Sequence, residues 1–237
     1  MVKVLGMTNL PIAFLCLFSV ILAGCSSGRN ETNQDLFLST SGAIVASVRS
    51  RRADTGPTID IVPSRADLDA TQGQVLQVRP ENLGVSDFLR RIETRLDGFG
   101  SPVEVWQSSD NRLIILRGGV LVGTKGLGGD MRSADAAPAT NGFDGQGGGG
   151  ERLVVIDKQD GTALSIPFAC DMTQLGTEVI QIVDQRVTTR RIREECVYRG
   201  TSFTNDYWVE PGRKRVRKSR QWAGPENGYF DMTLLKN

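Results

Sequence analysis

Residues 103–125 read VEVWQSSDNRLIILRGGVLVGTK. This stretch contains three apolar runs, VEVWQSS, RLIILRG and VLVGT, separated by Ser109-Asp110-Asn111 and by Gly118-Gly119. β-Branched and aromatic residues favour strands, whereas Gly, Asn and Asp favour tight turns. The stretch therefore predicts consecutive antiparallel strands joined by short turns.

The same alternation continues to the last residues of the chain. Turn residues such as Asp160-Gly161 and Pro211-Gly212 separate the runs RLVVID, ALSIPF, EVIQIVDQRVTTR, ECVYRG, SFTNDYWVE, KRVRKSRQW and YFDMTLL. Short strands at regular spacing are typical of a mainly β fold. We therefore expect a single antiparallel sheet, curved or partly closed, over residues 36–237.

Upstream of residue 103 the pattern is mixed, and one or two short packing helices are expected. Residues 30–52 predict a tether that leads into a helix, and Thr58–Val62 predicts a strand that stops at Pro63. A second helix is predicted over Asp87–Leu96, because the apolar residues there follow helical spacing. The residues of that apolar face are Val85, Phe88, Leu89, Ile92 and Leu96.

A glycine-rich segment interrupts the strand pattern. Residues 134–150, ADAAPATNGFDGQGGGG, show no apolar period, so a disordered surface insertion is predicted from about residue 132 to residue 150. The alternative, a phosphate-binding loop at GTKGLGG, lacks the P-loop and dinucleotide-binding glycine spacings.

The N-terminal residues predict export. Lys3 precedes an apolar run from about Pro11 to Leu22, which is short for a membrane span of about 20 residues and typical of a signal peptide. The following Leu22-Ala23-Gly24-Cys25 resembles the lipobox of bacterial lipoproteins. The prediction is a signal peptide over residues 1–24, diacylation of Cys25, and a tether over 25–35; the alternative is an ordinary signal peptide with a chance cysteine. Ser26 follows this cysteine, and the absence of Asp at that position resembles the outer-membrane sorting pattern of enteric bacteria. We therefore expect an outer-membrane lipoprotein whose domain faces the periplasm.

Two cysteines remain in the exported domain after Cys16 leaves with the signal peptide and Cys25 carries lipid. Cys170 and Cys196 are predicted to form a disulfide, because the compartment is oxidising. The alternative is a pair of free thiols, because sequence alone does not place their Cα atoms within about 7 Å.

The stretch RKRVRKSR at residues 213–220 concentrates positive charge. Its basic residues are candidate contacts to an anionic ligand: Arg213, Lys214, Arg215, Arg217, Lys218 and Arg220. An exported protein does not meet the chromosome, and the chain has 28 Lys and Arg against 27 Asp and Glu, so a nucleic-acid partner is not expected. Two interpretations stay open: an edge strand protected by charge, or recognition of an acidic polymer or lipid headgroup.

Catalytic signals are weak. The chain has no histidine, which removes Ser-His-Asp and Cys-His catalysis and histidine-based zinc sites. Carboxylates near the end of the chain, such as Asp206, Glu210, Glu226 and Asp231, are interpreted as surface charges. We expect no catalytic residues, no metal site, no cofactor and no enzymatic activity.

Three motifs in the second half of the chain share the pattern of one family. A W-x-S-x-D turn precedes a hairpin ending in T-x-G-L, a Y-W-V-E strand is followed by V-R-x-S-R-Q, and the last strand reads D-M-T-L-L-K. The matching residues are Trp106, Ser108, Asp110, Gly119, Leu121, Thr124, Gly126, Leu127, Tyr207, Trp208, Val209, Glu210, Val216, Arg217, Ser219, Arg220, Gln221 and 231–236. These motifs resemble the GfcB/YjbF lipoproteins of bacterial capsule and exopolysaccharide operons, although that pattern does not require Cys170.

The resemblance implies a curved antiparallel half-barrel and a non-enzymatic accessory role in polysaccharide secretion or assembly. The implied partners are the membrane, through the lipid, and acidic polysaccharide or other export proteins. An alternative function is a carrier that holds a lipid or lipid-linked intermediate in the half-barrel.

Overall fold

The computed structural model describes residues 63–98, 100–145 and 147–237, and within these ranges the protein is mainly β. The helices are α1 (Arg65–Ala70), α2 (Ala137–Thr140) and a 3₁₀ turn (Asn141–Asp144). The strands are β1 (Val75–Pro80), β2 (Asp87–Arg95), β3 (Val103–Gln107), β4 (Leu113–Arg117), β5 (Val120–Lys125), β6 (Met131–Ala134), β7 (Gly150–Asp157), β8 (Ala163–Ile182), β9 (Gln185–Tyr198), β10 (Thr201–Glu210), β11 (Arg215–Trp222) and β12 (Tyr229–Lys236).

All twelve strands belong to one sheet in the order β5-β4-β3-β2-β1-β12-β11-β10-β9-β8-β7-β6. Every neighbouring pair is antiparallel, and β12 returns to pair with β1. The two edges of the sheet, β5 and β6, are therefore consecutive in the chain. The sheet curves until these edges approach each other, which confirms the predicted single curved antiparallel sheet and leaves it nearly closed into a barrel.

The turn between the two edge strands is organised around Asp130. Its carboxylate accepts hydrogen bonds from Thr124 Oγ1 at 2.9 Å and from the backbone N–H groups of Gly126 at 2.8 Å and Leu127 at 3.1 Å. The N–H of Met131 in turn donates to Thr124 Oγ1 at 2.9 Å. The side chains of Thr124 and Asp130 thus hold the end of β5 and the start of β6 together, where no strand pairing joins them.

The described residues form three apolar clusters, of which an interior one and an outer one lie on opposite faces of the sheet. Leu76 packs in the interior with Trp106 and with the aromatic group of Phe168, Phe203 and Trp222. Its neighbour Val75 points the other way, as successive strand residues do, and packs against Leu68 of α1. That outer core also contains Ile180, Ile182, Trp208 and Leu235, so the long β8–β9 hairpin covers part of the outer wall.

The predicted helix over Asp87–Leu96 is wrong, because residues 87–95 form β2, paired with β1 and β3. The apolar residues do not share one face: Leu89 lies in the interior core, whereas Phe88 packs against the outer core. Ile92 and Leu96 are 45% and 81% exposed. A strand covered on both faces, with a bulge between Arg91 and Glu93, loses its alternation and imitates helical spacing.

The prediction of a disordered insertion over residues 132–150 is also not met. This segment contains the end of β6, α2 and the 3₁₀ turn, and buries Ala139 and Phe143. Gly148 has φ +89°, and a Cβ atom there would lie 2.6 Å from the backbone of Gly142. This glycine permits close packing, which composition alone does not distinguish from flexibility.

Several predicted features fall outside the described residues. These are the signal peptide over residues 1–24, the lipidated Cys25, the tether over residues 25–35, the helix in residues 30–52 and the strand Thr58–Val62. Within the described ranges, no helix is long and apolar enough to cross a membrane.

Candidate functional site: a cavity with basic residues at its mouth

A cavity of about 370 Å³ opens between strands β1–β4 and the pair β11–β12. Its inner wall is apolar and is shared with the interior core. The lining residues that this wall shares with the interior core are Leu76, Trp106, Leu116, Met232 and Leu234. A polar mouth on an apolar wall is the usual composition of a small-ligand site.

The basic stretch supplies one side of this cavity. Five of its six candidate contacts, Arg213, Lys214, Arg215, Arg217 and Lys218, are lining residues, and Arg220 is not. Arg91 contributes a further cation, and among the described residues Glu104 is the one carboxylate residue in the lining. The sequence indicated a local basic patch, and the structure brings most of it to one opening.

The edge-strand interpretation of this stretch is wrong. β11 pairs with β10 on one side and, over residues 218–222, with β12 on the other, so it is an inner strand of the sheet. Arg217, Ser219 and Gln221 are buried, whereas Lys218 and Arg220 on the other face are half-buried. The charges therefore do not protect an open edge.

Several of these cations have partners. Lys214 Nζ lies 2.7 Å from Asp144, and Arg220 lies 2.8 Å from Glu81 and over the ring of Tyr229. Lys218 lies over the ring of Trp208, 4.9 Å from its centroid. The side chain of Arg215 has no hydrogen bond or ion pair with any described residue.

Two buried donors in the lining lack acceptors among the described residues: the indole Nε1 of Trp106 and the Nε of Arg217. The Arg217 side chain is 6% exposed, and its guanidinium reaches only Glu210, with Nη1 at 3.4 Å from Oε2. Buried N–H groups are almost always hydrogen-bonded in folded proteins. Both residues line the cavity, and the two nitrogen atoms themselves are closed off from solvent in this conformation.

Deeper in the interior, a different arginine is tightly paired. Arg152 donates to Glu194 at 2.6 Å and to the carbonyl of Leu121 at 3.0 Å. Glu194 also accepts from Asn205 at 2.7 Å and from Tyr207 at 2.8 Å. Burial works to lower the pKa of Arg152, but Glu194 and Tyr207 outweigh it and raise that pKa above its usual value. Burial, and next the charge of Glu194, raises the pKa of Tyr207.

Gln221 ties the edge strand β5 to this interior. Its amide accepts from the N–H of Leu121 at 2.8 Å and donates to the carbonyl of Gly119 at 2.8 Å and to Ser219 at 2.9 Å. Gly119 has φ +86°, and a Cβ atom there would lie 2.5 Å from Val216. The motif residues of the two hairpins thus meet in space.

The other motif residues build turns and packing contacts. Ser108 bonds Asp110 and accepts from the N–H of Arg112 at 3.0 Å, which closes the β3–β4 turn. Thr124, Gly126 and Leu127 form the turn around Asp130 described above. Trp208 donates to Glu178 at 2.8 Å and packs in the outer core.

The predicted cysteine pair lies between β8 and β9. Cys170 and Cys196 are directly opposite in register and are joined by a disulfide, with Cα atoms 4.0 Å apart. Glu194 lies close to both sulfur atoms, and all three residues are buried. Because the sulfurs are bonded to each other, this cluster does not offer two thiolate ligands to a metal.

The carboxylates near the end of the chain do not converge on the cavity. Asp206 pairs with Arg191 at 3.1 Å and with Arg193 at 3.0 Å, and Glu210 pairs with Arg213 and Arg217. Burial pushes the pKa of Asp206 upward, but the bonds from Arg193 and Arg191 lower it overall. Asp206, Glu210, Glu226 and Asp231 are all absent from the cavity lining.

Sequence reasoning missed the buried Arg152 behind the site and two charged residues in its lining. Arg152 stands in the apolar run RLVVID, where it breaks the strand pattern, and that anomaly was the available signal. Arg91 and Glu104 carried no such signal, because each stands in an ordinary polar strand position.

The family model of YjbF, the group 4 capsule polysaccharide lipoprotein GfcB, matches residues 39–235. The chain belongs to the YjbF family. The match covers most of the sequence, and it confirms the resemblance seen in the motifs. YjbF-family membership supports a capsule-associated lipoprotein of the cell envelope.

The solved structures add support for the fold. The chain is similar to the crystal structure of the hypothetical lipoprotein YmcC from Escherichia coli (K12), with a TM-score of 0.62 and 19% identity over 81% of this chain and 94% of that chain. At this identity the similarity concerns the fold alone. No protein of the curated set matches the chain.

Proposed function

We propose that this protein is a membrane-anchored, non-enzymatic accessory lipoprotein of bacterial capsule or exopolysaccharide secretion or assembly. It contacts acidic polysaccharide through the basic residues at the mouth of the cavity. The observation that carries the proposal is the convergence of Arg213, Lys214, Arg215, Arg217 and Lys218 on one opening whose lining has a single carboxylate residue. Such local excess of one charge attracts a polymer of the opposite sign.

The anchor in this proposal is lipid on Cys25, inserted in the outer membrane with the domain facing the periplasm. Two or more acyl chains hold a protein firmly on a membrane, whereas one chain binds reversibly. The Cys25→Ala variant should accumulate as an unprocessed precursor that takes up no labelled palmitate. Persistent palmitate labelling of that variant would overturn the anchor.

The main experiment compares two charge-matched variants in cells that lack the wild-type gene. Arg213→Gln with Lys214→Gln removes two exposed cations from the mouth. Lys158→Gln with Arg186→Gln removes two exposed cations elsewhere. The first pair should lower the polysaccharide at the cell surface, and the second should not. Equal export by both, at equal protein level, would contradict the proposal.

The non-enzymatic part needs its own measurement. Purified protein incubated with the polymer of the same strain should leave its chain length and composition unchanged, as judged by size-exclusion chromatography. Shortening or modification of the polymer would show an enzyme.

The apolar inner wall favours a second candidate, a carrier of a lipid or lipid-linked intermediate. Leu76, Leu116 and Leu234 offer an acyl or isoprenoid chain a water-free surface. Mass spectrometry of lipids that remain bound after purification tests this candidate. A lipid present at one molecule per protein would replace the accessory role with a carrier role.

A further inference from the structure

The cavity contains more specific recognition chemistry than a basic surface requires. Trp106 Nε1 and Arg217 Nε are buried donors without acceptors among the described residues, and both residues line the cavity. Leaving a buried donor without an acceptor destabilises a fold, and more so when the donor is charged. A fold that keeps two such donors beside one cavity gains if a bound molecule shifts the lining and supplies acceptors.

The charge of the cavity indicates that this molecule is an anion. The described part of the lining has six basic residues and one carboxylate residue, Glu104, which pairs with Arg91 at 2.8 Å. Asp144 and Glu210 neutralise further cations from outside the lining. Counting all three carboxylates against the six cations leaves three positive charges. Arg215 is the clearest of these, because its side chain has no partner among the described residues.

The position of the arginines indicates an oxyanion in particular. Arg215, Arg217 and Ser219 all line the cavity, and a bulge in the pairing of β11 with β10 at Arg217 interrupts the alternation of the strand there. Guanidinium groups bind carboxylate and phosphate through paired, charge-assisted hydrogen bonds. A neutral ligand would leave the charge of Arg215 without compensation.

The volume and the lining of the cavity limit the size and the chemistry of the rest of the ligand. Small-molecule sites span about 300–1,000 Å³, so a cavity of about 370 Å³ accepts a small unit and not a length of polymer. One sugar ring has hydroxyl acceptors for the indole N–H and C–H groups for the apolar wall of Leu76 and Leu234.

We propose that the cavity is a subsite for a single acidic sugar unit, whose carboxylate or phosphate is bound by Arg215 and Arg217 while Trp106 donates to a hydroxyl. This inference rests on the proposed function and names the chemical class that its site takes. The rest of the polymer lies outside, across Arg213 and Lys214 at the mouth.

The test uses the full lipidated protein in polyoxyethylene detergent micelles. The probes are digalacturonate, galactose 1-phosphate, neutral galactose and dodecyl phosphate. The protein has three tryptophans, so indole N–H resonances in nitrogen-15 spectra are few, and Trp106→Phe assigns the one that reports on the cavity. Calorimetric titration gives the affinity in parallel.

Digalacturonate or galactose 1-phosphate should shift the Trp106 indole resonance saturably, and galactose should not. The carboxylate and phosphate arms identify which oxyanion the site prefers. Arg215→Gln should weaken the better anionic sugar about tenfold or more, as expected for a lost charge-assisted bond. Arg186→Gln removes the same charge from an exposed position outside the lining and should stay within about twofold of wild type.

Arg217→Lys keeps the charge but loses the planar guanidinium that makes paired hydrogen bonds, so it should also weaken binding. The melting temperature of this variant shows whether it is folded. The inference is overturned if neither anionic sugar shifts Trp106, if galactose binds equally well, or if Arg215→Gln binds like wild type. It is also overturned if dodecyl phosphate alone binds, because the site then takes a lipid. If no probe binds but the Arg213 and Lys214 pair still controls export, the proposed function stands and only the subsite fails.

Discussion

Two arginines inside the half-barrel, Arg152 and Arg217, are buried to a similar degree but differ in how closely they are paired. The side chain of Arg152 is 2% exposed and is bound to Glu194 and to the carbonyl of Leu121. The side chain of Arg217 is 6% exposed and has one long contact to Glu210, which is itself 21% exposed. Burial alone therefore does not define the role of a charge; its partners do.

The difference separates a structural centre from a binding centre. The Arg152 centre links β5, β7, β9 and β10 through one carboxylate, so its loss disturbs several strands at once. The Arg217 centre lies at the cavity, where a charge without close partners keeps its capacity to bind.

The largest expected effect follows removal of Arg152. Arg152→Met should lower the free energy of unfolding by about 3–5 kcal/mol, because the Glu194 carboxylate is left buried without its counter-ion. Urea unfolding measures the loss. Adding Glu194→Gln in the same chain should recover part of it, and a single variant as stable as wild type would break the comparison.

The next effect concerns the link between β5 and β11. Gln221→Ala leaves the N–H of Leu121 and the carbonyl of Gly119 without their side-chain partner, and should cost about 1–3 kcal/mol. Gln181, which is exposed and bonds only the carbonyl of Val183, provides the control. Gln181→Ala should change unfolding by less than about 0.5 kcal/mol, and similar losses from both variants would refute a special role for Gln221.

Alkaline pH should lower the free energy of unfolding through the Tyr207 hydroxyl, which is bonded to Glu194. Its pKa is raised in the folded state, so above the ordinary value of about 10 the unfolded chain loses this proton first, and stability falls as pH rises. The contribution is about 1.4 kcal/mol per pH unit until the folded pKa is reached. Tyr207→Phe should remove this slope and Tyr198→Phe should keep it; an unchanged slope in Tyr207→Phe would assign the effect elsewhere.

The smallest effect on stability is expected at the other arginine. Arg217→Met should change the free energy of unfolding by less than about 1 kcal/mol, because a single 3.4 Å contact is lost and no close ion pair is broken. The same urea experiment as for Arg152→Met measures it. A loss as large as that of Arg152→Met would make both arginines structural and end the distinction.

Strand content was predictable from residue 103 onward, because turn residues and β-branched runs alternate there on a short scale. The strand at residues 87–95 was not predictable from the pattern. The outer core packs against the outward face of β2, so apolar residues stand where a half-exposed strand would have polar ones. The position of β11 inside the sheet depends on its pairing with β12, which local pattern does not specify. The cavity depends on residues as distant as Arg91 and Arg217, so its basic side was visible in sequence and its shape was not.

The pairing of β1 with β12 also determines when the sheet can be completed. β1–β5 and β6–β12 each follow the chain from neighbour to neighbour, and one long-range pairing joins them. A chain that folds from its N-terminal side forms β1 early and cannot cover that edge of β1 until Tyr229–Lys236 pairs with it. Until then β1 and β11 both present unpaired backbone, and such edges recruit other strands. Loss of the eight residues of β12 would therefore expose the edges of β1 and β11 at once. Aggregation or proteolysis of such a chain would precede any defect in its function.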